Sequence, residues 1–215
     1  KVEIFKEPIT IFVIKTFSTK SSGKREIIRT FTFILCLLPL INLIILLLFD
    51  GLGVNPIEFV IRDLGDWALR FLILVLFLGF LLNVPKFKIL FTIRRMLGLF
   101  SFFYISLHLS SYVILDQFFN FVVIWEDILK RRYITLGFLS FVLLLPLALT
   151  SSDQSIKRLG YKTWKVLHRL IYPAAILAVI HYFMMIKANY TEPLIYAIIL
   201  CFLILSRISK KFFYS

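Results

Sequence analysis

Long apolar stretches, separated by short polar segments, dominate the pattern of this 215-residue chain. A helix needs about 20 mostly apolar residues to cross the hydrocarbon core of a bilayer. Six stretches approach this length and predict transmembrane helices at about 30–49, 66–84, 96–115, 133–149, 165–186 and 192–207. Pro39, Pro146 and Pro173 fall inside these stretches, and each should kink its helix or leave a carbonyl unpaired. The predicted fold is an all-α membrane protein, a bundle of six transmembrane helices.

Basic residues are unevenly distributed over the segments that connect the predicted spans. The segment 1–29 carries seven Lys or Arg, and the loops that would share its side of the membrane carry most of the others. Cytoplasmic loops of membrane proteins are enriched in Lys and Arg, so both termini should face the cytoplasm. Three regions follow: a basic cytoplasmic N-terminal extension at 1–29, a transmembrane domain at 30–207 and a basic cytoplasmic tail at 208–215.

Composition excludes several other classes of protein. Hydrophobic residues make up 60% of the chain and charged residues 17%, which is too little charge for a soluble domain. The net charge of +13 could indicate a nucleic-acid partner, but in a membrane protein basic loops report topology, so we expect contact with lipid and none with nucleic acid. The two cysteines, Cys36 and Cys201, lie in different spans, so disulfide frameworks and C-x-x-C sites are not expected.

All three histidines of the chain lie inside predicted spans. An imidazole in hydrocarbon costs free energy unless it is bonded, and neutral imidazole is the commonest protein metal ligand. His108 follows Arg95, and His181 follows Lys165, each by about four helical turns. At about 1.5 Å per residue, both reach the outer half of the bilayer on helices that run in the same direction. The pattern suggests a b-type haem held between these helices by His108 and His181.

The third histidine, His168, lies near the cytoplasmic end of the fifth span. A second, inner haem would need a partner for it on the third span, about four helical turns before His108, where Arg95 and Arg94 stand. A guanidinium stays protonated and does not ligate iron, although it can pair with a haem propionate. We therefore expect one haem b, or two if His168 serves as the only histidine ligand of the second.

Two further arginines lie within predicted spans, Arg70 toward the outer face and Arg169 toward the inner face. An arginine in a span needs a counter-charge, which a haem propionate would provide at either level. The alternative is that the side chain extends to the interface. A histidine in a membrane helix can likewise do no more than bond a neighbouring carbonyl. Two histidines at matched depth on two helices are harder to explain in that way.

Several longer motifs resemble a known family. The matching stretches are GLGVNPIEFVIRDLGDWALRFLIL at 51–74, RRMLGLFSFFYISLHLSSY at 94–112, DILKRRYITLGF at 127–138, PLALTSSD at 146–153 and RLGYKTWKVLHRLIY at 158–172. They are followed by His181-Tyr182, and the resemblance extends in register over 30–207. The chain thus resembles the ferric-reductase-like transmembrane superfamily, and within it the haem-binding membrane subunits of periplasmic protein-methionine-sulfoxide reductase systems (the MsrQ type).

The resemblance implies a six-helix cytochrome of the bacterial inner membrane that passes electrons outward. It implies haem b, with the family's haem histidines falling on His108, His168 and His181, and it implies FMN without indicating a site. The implied electron acceptor is a periplasmic molybdopterin-containing catalytic subunit that reduces methionine sulfoxide in proteins. The implied donor is the quinone pool or a cytosolic flavin reductase. The related two-haem oxidases and ferric reductases carry four histidines, two on each helix, so the inner site is where this chain departs from them.

Three functions are compatible with the sequence. The first is the electron-transfer subunit just described, for which 116–132, with its clustered charges, is a candidate outer docking surface. The second is a stand-alone reductase of ferric iron, cupric ion or oxygen, which requires an open iron position or an exposed haem edge. The third is a haem-free transporter or scaffold with structural histidines. No G-x-G-x-x-G motif of a nucleotide-binding domain occurs in the sequence, so we expect the electrons to come from elsewhere.

Overall fold

The computed structural model describes residues 23–81, 90–187 and 189–213, and these ranges are helical almost throughout. The helices in chain order are α1 (Gly23–Leu48), α2 (Pro56–Leu81), α3 (Phe91–Ser111), α4 (Phe121–Lys130), α5 (Arg132–Leu149), α6 (Asp153–Leu159), α7 (Tyr161–Leu167), α8 (Ile171–Met185) and α9 (Thr191–Phe213). A π-helical turn, Tyr112–Asp116, extends α3, and a 3-10 turn, His168–Leu170, joins α7 to α8. The all-α prediction is confirmed.

Five stretches of the described chain are long and apolar enough to cross a membrane: Arg25–Leu48, Pro56–Leu81, Ile93–Asp116, Arg132–Leu149 and Tyr161–Met185. They overlap the first five predicted spans, although the second begins at Pro56 instead of 66 and its predicted end at 82–84 lies outside the described residues, and the predicted sixth span lies within α9. The N-terminal extension predicted at 1–29 lies outside the described residues as far as residue 22, and its remainder forms the first turns of α1. Helix α9 continues to Phe213, into the predicted tail.

Two closely packed helix pairs, α2 with α3 and α5 with α8, organise the bundle. In each pair a buried serine hydroxyl donates a hydrogen bond to a carbonyl of the other helix. Ser101 on α3 donates to Ala68 over 3.0 Å, and Ser140 on α5 donates to Ala174 over 2.9 Å. Small polar residues of this kind let membrane helices approach closely. Helix α1 packs on α3, α9 packs on α8 and α2, and the described parts of α3 and α8 make few contacts with each other.

Helix α1 is joined to α3 through the fully buried Tyr104. Its hydroxyl donates to the carbonyl of Cys36 over 2.8 Å and accepts from the N–H of Leu40 over 3.1 Å. These two backbone groups are four residues apart, the spacing of a helical hydrogen bond, so the hydroxyl is inserted into the ladder of α1. Pro39, which has no N–H, lies at this same turn. At the turn where Pro39 was predicted to kink the helix or leave a carbonyl unpaired, a side chain of α3 therefore bonds the backbone of α1.

The predicted fifth span is not one regular helix, because the 3-10 turn that begins at His168 separates α7 from α8. Pro173 lies in the first turn of α8 and has no N–H, so the carbonyl of Arg169 lacks its usual partner four residues later. Short 3-10 turns are common where a helical ladder is interrupted. His168 therefore lies in the turn that precedes α8, and its orientation relative to α8 depends on this interruption.

Candidate functional site

Helices α3 and α8 bring His108 and His181 next to each other. The centroids of the two imidazole rings are 6.3 Å apart, and their planes are nearly perpendicular, at 76°. His108 belongs to the pair α2 and α3, and His181 belongs to the pair α5 and α8. The two halves of the bundle therefore each contribute one histidine to a shared position, as the matched depths in the sequence predicted.

Each of the two rings is held by a backbone carbonyl of the helix with which its own helix is paired. Nδ1 of His108 lies 2.8 Å from the carbonyl oxygen of Ile61 on α2, and Nδ1 of His181 lies 2.7 Å from that of Tyr133 on α5. A carbonyl oxygen can only accept, so both Nδ1 atoms carry the proton and donate it. The remaining nitrogen, Nε2, then keeps its lone pair. A histidine fixed in this tautomer is in the form that ligates a metal.

Glycines make room for both rings. A Cβ atom on Gly65 would lie 3.0 Å from Nδ1 of His108, and one on Gly137 would lie 3.0 Å from Nδ1 of His181. Carbon atoms in ordinary contact are about 3.5–4.0 Å apart, so an alanine at either position would press on the imidazole. Each glycine stands four residues after the carbonyl that accepts from the same ring. The two histidines thus occupy equivalent sockets, each made of a carbonyl and a glycine one helical turn further on.

The number of ligands restricts what this site can bind. The described residues contain no group of three or more His, Cys, Asp or Glu side chains that could hold a metal ion. A free transition-metal ion bound in a stable protein site generally takes at least three protein ligands. Two imidazoles suffice when the metal brings its remaining ligands in a macrocycle, as haem iron does. The site therefore suits a haem better than an ion.

His168 does not join this pair. Its Nε2 lies 3.1 Å from the hydroxyl of Thr150 at the end of α5, and its ring lies against that of Trp164, with 4.0 Å between the centroids. Trp164 in turn donates from Nε1 to the carbonyl of Thr150 over 2.9 Å. His168 thus belongs to a polar contact between α5 and α7. Because His108 and His181 contact each other, none of the chain's histidines remains to form a second pair with it.

The two arginines expected opposite His168 have different surroundings. Arg95 forms a partly exposed ion pair with Asp153, with 2.7 Å between Nη1 and Oδ1. Arg94 extends instead toward Gly79 at the end of α2, where it meets Arg207 of α9. The sequence did not indicate the proximity of Arg94 and Arg207, which lie on the third and sixth predicted spans.

The arginines predicted in the spans also differ. Arg70 is partly buried, donates from Nε to the hydroxyl of Tyr196 over 3.2 Å, and lies over the ring of Trp67 at 4.8 Å from its centroid. Its hydrogen-bond partner is thus a neutral hydroxyl. Arg169 is exposed, which agrees with a side chain that extends to the interface.

Comparison with known proteins places the chain in a family. The model of the ferric reductase like transmembrane component matches residues 64–179, which include His108 and His168. A protein of Rhodospirillum rubrum is 48% identical over 187 residues, which cover 84% of this chain and 86% of that protein. One of Herminiimonas arsenicoxydans is 44% identical over 87% of each chain, and one of Caulobacter vibrioides is 45% identical over 73% of this chain and 75% of its own. All three are named protein-methionine-sulfoxide reductase heme-binding subunit MsrQ.

The chain belongs to the ferric-reductase-like transmembrane family, in its MsrQ group. It is a multi-pass membrane protein. No solved structure matches it. The resemblance inferred from the motifs at 51–74, 94–112 and 158–172 is confirmed.

Sequence reasoning found the two histidines but missed their sockets. Gly65 and Gly137 are isolated glycines in apolar helices, where glycine is less favourable than alanine by about 1 kcal/mol and usually has a packing reason. The presence of glycine at these positions could have indicated close packing, although it does not reveal which side chain lies against each glycine. The role of the Ile61 and Tyr133 carbonyls could not be predicted, because every residue has a backbone carbonyl and the sequence does not distinguish these two.

Proposed function

We propose that this chain is a b-type cytochrome of the bacterial inner membrane with His108 and His181 as the axial ligands of one haem. We further propose that it passes electrons to a separate catalytic subunit that reduces methionine sulfoxide in proteins. The observation that carries the first proposal is the pair of imidazoles whose Nδ1 atoms are both bonded to carbonyls, with 6.3 Å between ring centroids. The names of the MsrQ relatives support the second.

The separation of the rings supports a metal between them. A metal–imidazole bond is about 2.0 Å long and the ring centre lies about 1.1 Å further, so two imidazoles on opposite sides of one metal have centroids about 6 Å apart. The separation in the structure has this size. The limited contact between α3 and α8 leaves these two helices apart in the bundle, as a macrocycle between them requires.

The residues of this site hold and tune a cofactor and do not act on a substrate. A haem held by both histidines would supply one-electron transfer, since two imidazole ligands would leave its iron no open position for oxygen or an organic substrate. The carbonyls of Ile61 and Tyr133 fix the tautomer and orientation of each ring and increase its basicity as a ligand. The helices around the histidines limit access of water, which also affects the reduction potential.

The reduction of methionine sulfoxide then belongs to a partner. We propose a periplasmic molybdopterin-containing subunit as acceptor, and the quinone pool or a cytosolic flavin reductase as donor, on the basis of the family resemblance. FMN is proposed on the same basis, without a site on this chain. The outer docking surface proposed at 116–132 includes α4, whose exposed Trp125 and Phe121 also suit the membrane interface.

We propose that α9 is the sixth membrane span and that both termini are cytoplasmic. The apolar part of α9 is followed by Arg207, Lys210 and Lys211. The N-terminal segment 1–29 is likewise basic. An even number of spans places these two basic segments on the same side, where the positive-inside rule locates the cytoplasm.

One haem is favoured over two. Nε2 of His168, the nitrogen that a histidine commonly offers to iron, is bonded to Thr150, and Arg95 is paired with Asp153. An inner haem would have to displace the first contact and find a second ligand. Arg70 is partly buried within its span and has, among the described residues, only a neutral hydroxyl as its hydrogen-bond partner, so it is our candidate for a propionate partner of the outer haem. We do not favour this role for Arg94, Arg95 and Arg169.

Absorbance spectra and haem content of the purified protein test the proposal. With haem supplied, the wild type should show a reduced low-spin b-type spectrum and bind about one haem per chain. His108→Ala and His181→Ala should each abolish that spectrum, whereas His168→Ala is the matched control and should retain it. A protein without a Soret band would instead support the transporter or scaffold. Rapid reduction of ferric chelates without a partner protein would support the stand-alone reductase.

A further inference from the structure

Two arginine side chains converge at the end of the bundle that lies farthest from the histidine pair. Arg94 precedes His108 on α3 by about four helical turns, which is about 20 Å along the helix axis. Its Nη2 lies 3.1 Å from the position where a Cβ of Gly79 would stand, and Nη2 of Arg207 lies closer still to the same point. The absence of a side chain at Gly79 therefore allows two guanidinium groups to occupy one small volume.

These two positive charges lack a carboxylate partner among the described residues. Neither Arg94 nor Arg207 takes part in the ion pairs found among the described residues. Asp153 is paired with Arg95 instead. Arg207 bonds the hydroxyl of Tyr172 and lies over its ring, with 5.5 Å to the centroid. Tyrosine is neutral and leaves the charge uncompensated. Two adjacent guanidinium groups repel each other, so the arrangement favours a bound anion.

A third arginine raises the positive potential at this end. Nε and Nη1 of Arg29, on α1, are buried and have no hydrogen-bond partner. Arg29 lies in the second turn of α1, and because α1, α2 and α3 follow one another as spans, the start of α1 lies on the same side of the membrane as the end of α2 and the start of α3. Arg29 thus belongs to the same end of the bundle as Arg94 and Arg207, which makes this end attractive to anions.

We propose that Arg94 and Arg207 form a binding site for a phosphate group, and that an anionic phospholipid headgroup supplies it. A guanidinium presents two parallel N–H donors that match phosphate oxygens, and a phosphate has enough oxygens to serve two guanidinium groups at once. The site lies where α2 ends and α3 begins, at the membrane interface. Basic pockets between helices on the cytoplasmic side bind anionic headgroups. That this side is cytoplasmic rests on the orientation proposed above, whereas the chemistry of the site does not depend on the haem.

Native mass spectrometry of delipidated protein in detergent tests this site. Phosphatidic acid would be added in parallel with phosphatidylcholine of the same acyl chains, whose phosphate is neutralised by choline. We expect the wild type to retain phosphatidic acid preferentially. Each arginine removed should weaken that retention about tenfold, the size expected for one charge-assisted hydrogen bond. The double variant Arg94→Gln/Arg207→Gln should show no preference between the two lipids.

Two further variants separate the site from general effects. Gly79→Ala adds a methyl group where the guanidinium groups converge and should weaken retention without removing a charge. Arg62→Gln removes an exposed arginine that is paired with Glu58 at the other end of α2, and it should change nothing. Equal retention of phosphatidic acid by the wild type and the double variant would refute the proposal.

A soluble phosphate compound or a haem propionate could occupy the site instead of a lipid headgroup. Two further measurements on the same protein preparations distinguish these ligands. Glycerol 3-phosphate is the probe for a soluble source. If it displaces phosphatidic acid at low millimolar concentration and binds alone, the lipid assignment is wrong. Haem content is measured in every variant. A fall in haem per chain in the double variant would show that these arginines hold a propionate, and it would overturn the phosphate site while leaving the axial histidines intact.

Discussion

The glycine sockets predict that adding a single methyl group beside a histidine weakens haem binding. In Gly137→Ala the new Cβ would lie 3.0 Å from Nδ1 and from Cε1 of His181. To restore ordinary contact of about 3.5–4.0 Å, the ring must move away from α5 by about 0.5–1 Å. The bond from Nδ1 to the carbonyl of Tyr133 is now 2.7 Å long, and this movement would lengthen it beyond about 3.2 Å, the upper limit of a good N–H···O bond.

The expected loss can be given a size. Removing a group that orients a metal-ligating histidine typically lowers metal affinity about 10–100-fold, which corresponds to about 1.4–2.8 kcal/mol. Alanine is a better helix former than glycine by about 1 kcal/mol, so the helix itself should not be weakened. The substitution therefore predicts a lower haem affinity in a protein whose helices are at least as stable as before.

Titration of the apoprotein with haemin in detergent, followed at the Soret band, measures this affinity, and thermal unfolding of the apoprotein measures the stability. Gly65→Ala, beside His108, should behave in the same way as Gly137→Ala. Gly98→Ala is the matched control, because its Cβ would meet only Val75 Cγ2, at 4.0 Å. If both socket variants bind haem within twofold of Gly98→Ala, the sockets do not position the ligands and the reasoning is wrong.

Three further predictions follow from contacts outside the sockets. His168→Ala should keep one haem and an unchanged reduced spectrum, since His168 bonds Thr150, and a loss of half the haem would instead reveal an inner site. Tyr104→Phe should lower the free energy of unfolding by about 1–3 kcal/mol, because it removes the buried hydroxyl that bonds both the carbonyl of Cys36 and the N–H of Leu40, and thermal unfolding in detergent would detect this. Asp153→Asn should change stability by less than about 1 kcal/mol in the same assay, because its ion pair with Arg95 is partly exposed.

The sequence predicted the parts of this protein that depend on hydropathy and residue type. Spans are defined by the length of apolar stretches, so five of them could be located, although α1 begins at Gly23 and α2 begins at Pro56, seven and ten residues earlier than predicted. The first turns of both helices contain charged residues, so the hydropathy pattern did not include them. Hydropathy indicates only the part of a helix that lies in the hydrocarbon core, whereas the helix itself continues into the interface. The pairing of His108 with His181 followed from their depth in the bilayer alone. That depth was obtained by counting residues from the start of each span, at about 1.5 Å per residue.

Contacts between distant parts of the chain could not be predicted in this way. An ideal helix places His168 and His181 about 140° apart, yet both contact the same neighbour: His181 bonds Tyr133 at the start of α5, and His168 bonds Thr150 directly after its end. The 3-10 turn that starts at His168 changes the angular spacing, and no hydropathy pattern indicates such a turn. The convergence of Arg94 and Arg207 on Gly79 likewise depends on how α2, α3 and α9 pack.

The two sockets are equivalent in a way that bears on electron transfer. In each, a helix carbonyl accepts from Nδ1 and a glycine four residues later leaves space for the ring, and in each helix pair a serine hydroxyl bonds a carbonyl across the pair. A carbonyl has two lone pairs, so it can hold the imidazole while it keeps its own helical bond. Both rings are therefore fixed by backbone groups, which cannot rotate away as side chains can. If His108 and His181 hold an iron as proposed, ligands fixed in this way would keep their positions when the charge on that iron changes by one. Little reorganisation would then be required at each electron transfer, which suits the proposed role of conducting electrons to a partner.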